Sequence, residues 1–443
     1  MTFKSKHIAV VSLQFEETST GGGGVHVEKV CEQFLKLGHQ VTLISIHTKK
    51  TLDKVKIKSR DEPFSIQYRD NLSVVRFLID EGITQPYQGE KEIELNRIQR
   101  FGQAVTIWLK KHYKKFDMIQ LHGHHIIPGY MARELQVLGI PIVSVVHSLE
   151  SSLISRKGES LGSFEATESI VKKLKKWEGM VIFADFIVLN SLMVCDDLEE
   201  ILKEQKFNIK KIEQKIHFIS SGCNEDFLMD DEEIIKKLAS LPEVIQLVSF
   251  CRIDPSKGIE FAIQGVKALA EKSPQSLFYT IAGIPASDVY GYKIESEIKD
   301  TPKNLTIRLR FFDRISPLRE KKEILDDKHI YVFSSLKEPF GMSLIEASAR
   351  GNIIVSTDTY GSRFMMAGGE DVYFNWGRVT PFGILSNRKD NHHSNLGKNI
   401  SEAILWTIDN WEECKQKVLK FNKKIHQKWT WEGIAKKYLE LFT

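Results

Sequence analysis

Apolar and polar residues alternate in blocks along the start of the chain. The apolar run at residues 8–13 has the length of a buried strand. After four consecutive glycines, apolar side chains recur at helical spacing at Val27, Val30, Cys31, Phe34 and Leu35. A second strand-length run follows at 41–46, beyond Gly38, where the helix is expected to stop. The pattern predicts a βαβ unit with the glycines between its first strand and its helix.

The same blocks continue through the chain. They predict strands in the first half at FDMIQL, IPIVSVV, ADFIVLN and IHFIS, and in the second half at VIQLVSF, SLFYTIAG, LTIRLRFF, HIYVFSS and GNIIVSTD. Two series of alternating strands and helices predict an α/β fold of two Rossmann-like domains with mostly parallel sheets. The acidic stretch CNEDFLMDDEE lies between the two series. We therefore place the domains at residues 1–220 and 221–428.

Composition narrows the class of protein. The chain has 443 residues, and 42% of them are hydrophobic, which suits domains with packed cores. Its 62 basic and 58 acidic residues give a net charge of +4, too small to indicate nucleic acid as the main partner. The basic stretches KKHYKK and KKLKKW are interpreted as solvated helix faces, and contact with a membrane surface is the less favoured alternative.

Cysteine usage and hydropathy predict a cytoplasmic location. The five cysteines are scattered without a CxxC pair, which argues against a zinc site and against a disulfide framework. No apolar run approaches the roughly 20 residues that span a bilayer. The apolar run at 8–13 is expected to be a first strand and not part of a signal peptide.

Several stretches with chemical potential follow predicted strands, where ligands bind in parallel α/β sheets. Glycines 21–24 would let the backbone approach a ligand, with the helix start offering N–H groups to an anion; a flexible turn is the alternative. In FCRIDPSKG, Arg252 and Lys257 flank a helix start that Asp254 or Ser256 would cap. Two cations beside a helix start indicate a diphosphate site, against an ordinary βα loop with surface charges.

Carboxylates and imidazoles complete the candidate chemistry. Glu338 and Glu346 stand eight positions apart in EPFGMSLIE. A helix starting near Gly341 would place Glu346 in its early turns and Glu338 in the loop before it, where each could accept ligand hydroxyls; a capped surface helix is the alternative. His147 ends a predicted buried strand and is expected to point into a cleft.

Three further histidines, His122, His124 and His125, cluster at another strand end. We expect them to hydrogen-bond a polyol; a zinc site and a structural role are the alternatives. The chain contains no D-x-D triplet, the paired acids with which many enzymes hold a nucleotide diphosphate through a metal. Cations and helix ends are therefore expected to carry any bound diphosphate, without a metal or other cofactor.

Taken together, these motifs resemble retaining nucleotide-sugar glycosyltransferases of the GT-B fold, of the sucrose synthase and sucrose-phosphate synthase type. The glycine stretch, LHGHH, VVHSLE, ADFIVLNS, RIDPSKG, EPFGMSLIEASARG and WTWEGIAKKYLELF occur in the family's order over almost the whole chain. The resemblance implies two Rossmann-like domains with a cleft between them, and a C-terminal helix, residues 429–443, that crosses back to the first domain. The chain departs from the family's pattern at Tyr360-Gly361, Phe364 and Asn352, among other positions.

The resemblance also implies roles for individual residues. Arg252 and Lys257 would grip the donor diphosphate, and Glu346 would hold the ribose hydroxyls. Glu338 would hold the donor sugar, and His147 would hydrogen-bond it near the reacting carbon. The remaining donor-binding positions would be Gly22, Gly23, Gly24, Phe340, Gly341 and Met342, with His122, His124 and His125 assigned to the acceptor.

The implied activity is retaining transfer of a hexosyl group, with a UDP-sugar as the leading donor, to a hydroxylated small molecule or saccharide. A phosphorylase of the same fold and a non-catalytic sugar- or nucleotide-binding module are the alternatives. A nicotinamide dehydrogenase is disfavoured, because the second strand ends in ISIHTKK without the acid that such enzymes use. The acceptor, the linkage and the oligomeric state are left open.

Overall fold

The structure is a computed structural model and describes residues 4–15, 22–48, 64–80, 83, 90–123, 126–155, 167–285, 287–312, 318–387 and 395–442. The chain forms two compact units. Of the described residues, those from 4 to 155, from 167 to 221 and from 431 to 442 belong to the first unit, and those from 222 to 430 belong to the second. The chain thus leaves the first unit after Ser221 and returns to it at Trp431, so the C-terminal helix belongs to the first unit.

The first unit is built on one sheet. Its strands are β1 His7–Val11, β2 Gln40–Ile46, β3 Phe64–Arg69, β4 Leu72–Phe77, β5 Met118–Gly123, β6 Ile142–Val146, β7 Phe186–Leu189 and β8 Ile216–Phe218. Among the described residues the strand order is β3-β4-β2-β1-β5-β6-β7-β8, and every neighbouring pair is parallel except β3 with β4. The central strands are continuous apolar runs because helices cover both faces of such a sheet.

Helices surround this sheet. They are α1 Gly22–Lys36, α2 Lys91–His112, α3 Ala132–Leu135, α4 Glu150–Ser155, α5 Glu168–Gly179, α6 Leu192–Glu204, α7 Ile209–Glu213 and, at the end of the chain, Trp431–Glu440. A π-helical stretch, Ile126–Met131, precedes α3. Helix α1 buries Val27, Val30, Cys31 and Phe34 of the predicted apolar face, and the fifth member of that face, Leu35, is half-buried.

The second unit repeats this plan. Its strands are β9 Val244–Phe250, β10 Ser276–Gly283, β11 Leu305–Phe311, β12 Ile330–Phe333, β13 Ile353–Thr357, β14 Val372–Phe374, β15 Gly377–Thr380 and β16 Gly383–Ser386. In the part of the unit that the structure describes, they run in the order β11-β10-β9-β12-β13-β16-β15-β14. Along this order, the neighbouring pairs from β11–β10 through β13–β16 are parallel. The last two pairs, β16–β15 and β15–β14, are antiparallel.

The helices of the second unit lie between these strands. They are α8 Asp231–Lys237, α9 Ile259–Lys272, α10 Asp288–Glu297, α11 Leu318–Asp326, α12 Met342–Ala349, α13 Tyr360–Met366, α14 Leu396–Asp409 and α15 Trp411–Lys428. The C-terminal helix Trp431–Glu440 of the first unit is α16. The predicted apolar face of α9 is confirmed, since Ile259, Ala262, Ile263, Val266 and Leu269 are all buried.

The predicted α/β class is confirmed in both units. The strand expected to end at Leu121 continues to Gly123, because its pairing with β6 extends that far. The antiparallel pairs β3–β4, β14–β15 and β15–β16 were not predicted from the pattern. None of the helices that the structure describes is long and apolar enough to cross a bilayer.

Candidate functional site

Arg252 and Lys257 lie on the loop that leads from β9 into α9. Asp254 caps a single 3-10 turn, Pro255–Lys257, by accepting a hydrogen bond of 2.9 Å from the backbone N–H of Ser256. The sequence predicted that Asp254 or Ser256 would cap the long helix itself, and this was wrong. Gly258 holds that N-cap position instead, with φ of +57°. The short turn between strand and helix presents Lys257 at the carboxyl ends of the parallel strands.

Lys257 is held by a carboxylate from a distant part of the second unit. Its Nζ donates to Glu338 Oε2 at 2.7 Å, and the two side chains are only 18% and 14% exposed. Burial alone would lower the pKa of Lys257, but the Glu338 carboxylate outweighs it, so that pKa lies above its usual value. Arg252 is 58% exposed, and its Nε donates to Asp254 Oδ2 at 2.5 Å.

The loop that carries Glu338 leads into α12 as predicted. Gly341 occupies the N-cap with φ of +94°, a left-handed conformation that favours glycine, and the helix begins at Met342. Glu346 lies in the early turns of this helix and is 7% exposed. The side chain of Phe340 is 3% exposed and packs edge-on against Trp429, so it is part of the core. Any contribution of Phe340 to ligand binding would come from its backbone.

Lys321, on α11, was missed by the sequence analysis. Its ammonium contacts Glu346 Oε2, and the rings of Phe250 and Phe227 lie 5.2 and 5.9 Å from its Nζ. In the sequence Lys321 is one of several charged residues in LREKKEIL, so only helix packing reveals which of them meets Glu346.

The loop before α12 is also fastened by the first turn of α13. The backbone N–H of Gly361 donates to the carbonyl of Glu338 at 2.9 Å. A Cβ atom on Gly361 would stand 2.2 Å from the carbonyl oxygen of Phe340, which is far inside van der Waals contact. Only glycine permits this approach, and the turn is closed by a capping box between Thr359 and Ser362.

In the first unit, the glycines form the start of α1. They were predicted as a loop preceding the helix, but the helix begins at Gly22, and Gly23 and Gly24 belong to its first turn. A Cβ on Gly23 would lie 3.7 Å from Gln14 Oε1 and 3.7 Å from Cδ2 of His147. The glycine turn therefore lies against His147.

His147 follows β6, and its backbone N–H donates to the carbonyl of Gly123 at 3.3 Å. His122, on β5, places Nδ1 3.4 Å from His147 Nε2, and the two rings are stacked with centroids 5.6 Å apart. His122 is 1% exposed, and burial, followed by the proximity of His147, holds its pKa well below its usual value. His124 and His125 lie outside the described residues.

His26, in the first turns of α1, is a second residue that the sequence analysis did not single out. It is fully buried, with Nδ1 3.1 Å from Ser221 Oγ and Nε2 2.9 Å from the hydroxyl of Tyr438 on α16. Its ring lies 5.0 Å from that of His147. Burial holds the pKa of His26 well below its usual value, so the imidazole is neutral at pH 7.

Within the residues that the structure describes, no three or more His, Cys, Asp or Glu side chains are grouped so as to hold a metal ion.

Gly23 gives a test of the glycine turn. We expect Gly23→Ala to fold at least as well as the native chain, since its Cβ meets only ordinary contacts at 3.7 Å and alanine favours helix. Gly23→Val adds γ-carbons in the direction of Gln14 and His147, and we expect it to lower kcat about 10-fold or more while the melting temperature changes little. Parallel assays and thermal melts of both variants would measure this. Normal turnover by Gly23→Val would show that the glycines serve only the helix start.

Comparison with known proteins identifies the class. The family model described as "Glycosyltransferase Family 4" matches residues 20–226, and the model described as "Glycosyl transferases group 1" matches residues 230–374. The chain therefore belongs to the GT-B-fold glycosyltransferases, with one of these family models matching within each half.

Three relatives illustrate the similarity. A probable sucrose-phosphate synthase of Thermosipho melanesiensis is 25% identical over 96% of this chain and 91% of its own length. A D-inositol 3-phosphate glycosyltransferase of Corynebacterium urealyticum is 22% identical over 98% of this chain and 95% of its own. The crystal structure of Anabaena HepE in complex with UDP-glucose superposes with a TM-score of 0.63 at 13% identity, covering 98% of this chain and 99% of that one.

Proposed function

We propose that the protein transfers a hexosyl group from a UDP-sugar to a hydroxyl of a small-molecule or saccharide acceptor, with retention of anomeric configuration and without a metal. The observation that carries the proposal is the pair formed by Lys257 and Glu338 on the strand-end loops of the second unit. It places a largely buried cation and a largely buried carboxylate side by side, 18% and 14% exposed, with the exposed Arg252 on the same loop as Lys257. This is a suitable arrangement for a charged diphosphate joined to a hydroxylated sugar.

Cleavage of a sugar–phosphate bond leaves positive charge on the anomeric carbon and additional negative charge on the diphosphate. Fixed cations beside the leaving phosphate stabilise that charge as it develops, and this is usually the largest electrostatic contribution to such a reaction. In our proposal Lys257 and Arg252 fulfil this role. Because Glu338 holds Lys257 Nζ at 2.7 Å, the ammonium is oriented before any substrate binds.

The two carboxylates are proposed to bind hydroxyls. Glu338 would accept from the donor sugar through the oxygen that Lys257 leaves available, together with backbone groups of residues 340–342. Glu346 would accept from the ribose, and the ligand would then share or replace the contact that Lys321 makes with it. Ionised carboxylates accept several hydrogen bonds at once, so neither lysine contact prevents a second one.

Retention is proposed from the family resemblance. In same-face attack the acceptor hydroxyl approaches on the side that the phosphate leaves, and the departing phosphate receives the hydroxyl proton. Within the first unit, His147 would hydrogen-bond the sugar near the reacting carbon, and Gly22, Gly23 and Gly24 would allow a phosphate close to the helix start. His122, His124 and His125 remain the proposed acceptor-side histidines.

The names of the relatives guide the choice of substrates. Two are named for reactions that involve a sugar phosphate or a cyclitol phosphate, and one was crystallised with UDP-glucose. UDP-glucose is therefore the first donor to test, and phosphorylated sugars and cyclitols are the first acceptors.

A donor-hydrolysis screen tests the proposal before the acceptor is known. We expect slow release of UDP from a UDP-sugar, exceeding release from the GDP- and ADP-sugars, and acceleration when a suitable phosphorylated acceptor is added. NMR of the product's anomeric proton would then report the configuration. Inversion would contradict the retaining mechanism, and failure to bind or hydrolyse any nucleotide-sugar would contradict the function itself.

Metal independence is a separate expectation. We expect transfer to continue in EDTA at close to its full rate, because Arg252 and Lys257 are proposed to carry the diphosphate charge. The measurement is the initial rate before and after chelation, with manganese or magnesium added back. Loss of activity in EDTA with recovery on adding metal would contradict this part of the proposal.

A further inference from the structure

Three polar side chains form a line through the first unit, from the middle of its sheet to His147. Gln120 and His122 lie two residues apart on β5, so their side chains point to the same face of the sheet. Gln120 is 0% exposed and His122 is 1% exposed. His122 Nε2 lies 3.1 Å from Gln120 Oε1, and His122 Nδ1 lies 3.4 Å from His147 Nε2. Each of these two contacts is a hydrogen bond with one donor and one acceptor.

The orientation of the Gln120 amide follows from its other neighbour. Its Nε2 lies 3.8 Å from Met118 Sδ. A thioether sulfur is a weak acceptor and carries no hydrogen, so the NH2 group is the half of the amide that suits it. The carbonyl oxygen of Gln120 then faces His122 and can only accept a hydrogen bond.

The position of the proton on the His122 ring follows from the orientation of the Gln120 amide. A buried imidazole that is neutral at pH 7 carries one proton, and this proton lies on Nε2 because Gln120 Oε1 must be given a hydrogen. His122 Nδ1 is then a bare lone pair. Two ring nitrogens in contact cannot both be lone pairs, so His147 Nε2 carries the hydrogen between them.

We propose that Gln120 and His122 are positioning residues that fix neutral His147 as its Nε2–H tautomer, with its Nδ1 as the hydrogen-bond acceptor. His147 would therefore accept a hydrogen bond from a ligand hydroxyl through Nδ1, rather than donate one to a ligand oxygen. Its ring plane is restrained as well, by stacking on His122 with 29° between the planes. The importance of this tautomer for turnover rests on the proposed function; the tautomer itself does not.

The groups around the line are consistent with a neutral network. Among the residues that the structure describes, two other titratable rings lie beside it: His26, centred 5.8 Å from His122, and Tyr438, centred 6.3 Å from His122. Burial raises the pKa of Tyr438 and lowers that of His26, so both are uncharged at pH 7. The low local dielectric of the protein interior strengthens each hydrogen bond in such a network and makes an unpaired polar atom costly. The arrangement of protons that satisfies both contacts is therefore favoured over one that leaves two lone pairs facing each other.

The test is direct observation of the ring nitrogens by two-bond 1H–15N NMR of the full chain labelled with 15N-histidine, with the His147 signals assigned from a His147→Asn sample. We expect a protonated Nε2 and an unprotonated Nδ1 for His147 at a pH where it is neutral. Gln120→Met removes the carbonyl and should give His147 a mixture of tautomers or the Nδ1–H form. Gln120→Glu retains an acceptor oxygen and should retain the native tautomer.

Turnover supplies the second measurement. Gln120→Met should lower kcat at least 10-fold with less than a threefold change in KM, and Gln120→Glu should recover most of the loss, which a purely structural role would not predict. Gln33→Met, the same exchange at another buried glutamine of the first unit, is the matched control and should change neither the tautomer nor kcat. If Gln120→Met does not fold, His122→Asn should also release His147 from a single tautomer.

A native His147 protonated on Nδ1 would overturn the inference, as would a Gln120→Met protein that folds and keeps the Nε2–H form. A change of the His147 tautomer with unchanged kcat would overturn the proposed role of that tautomer in turnover. The NMR measurement needs no substrate, so it decides the tautomer independently of activity. A native protein that transfers no sugar would contradict the proposed function only.

Discussion

Lys257→Met is expected to lower kcat on the order of 100-fold, because it removes a fixed cation where negative charge would develop on the leaving diphosphate. It should also lower the free energy of unfolding by about 3 kcal/mol, since Glu338 would remain as a largely buried carboxylate without its partner. Affinity for UDP should fall more than affinity for uridine, because only UDP carries the phosphates. Steady-state kinetics, calorimetric binding and chemical denaturation would measure the three effects.

Arg252 is the matched comparison. It is a cation on the same loop, but it is 58% exposed and bonded only to its neighbour Asp254 among the contacts described. Arg252→Gln should therefore lower kcat and UDP affinity in the same direction, at a cost in stability below about 1 kcal/mol. The contrast separates the catalytic effect of a lost cation from the structural effect of an unpaired carboxylate.

The double variant Lys257→Met/Glu338→Gln should recover much of the lost stability without recovering kcat, because the carboxylate that lacked a partner is neutralised. Native kcat and native UDP affinity in both Lys257→Met and Arg252→Gln would show that this loop is an ordinary strand–helix connection. The electrostatic basis of the proposed function would then be lost.

Gly361→Ala is expected to be the second large effect. Its Cβ would meet the Phe340 carbonyl oxygen at 2.2 Å, and the atoms it would strike are backbone, so the loop or α13 must move. We expect a loss of about 3 kcal/mol in unfolding free energy. Displacement of the neighbouring Glu338 by about 1 Å is expected to lower kcat on the order of 100-fold.

Gly369→Ala is the control for this substitution. It lies on the chain segment that follows α13, and an added Cβ would meet nothing within 4 Å. Its unfolding free energy should stay within about 0.5 kcal/mol of the native value, and its kcat should be native. Native stability and activity in Gly361→Ala would mean that the Glu338 loop does not depend on this close contact.

Much of the architecture was determined by local sequence patterns. Continuous apolar runs predicted the central strands of both sheets, because a parallel strand is buried on both faces and shows no alternation. The start of α12 near Gly341 and the apolar face of α9 were also predicted, since capping and helical periodicity depend on residues a few positions apart. The antiparallel pairs β3–β4, β14–β15 and β15–β16 were missed.

The sequence by itself thus determined which chemical groups follow the strands: Arg252, Lys257, Glu338 and His147 in the connections, and Glu346 in the helix after Glu338. Only the tertiary structure decided which of them meet. Lys257 and Glu338 are 81 positions apart and come together because β9 and β12 are neighbours in the sheet. The contacts of Lys321 with Glu346 and of His122 with His147 likewise depend on helix packing and strand register. Such contacts join distant segments, and no local pattern encodes them, because each lysine or histidine has the same local preferences whichever partner the fold supplies.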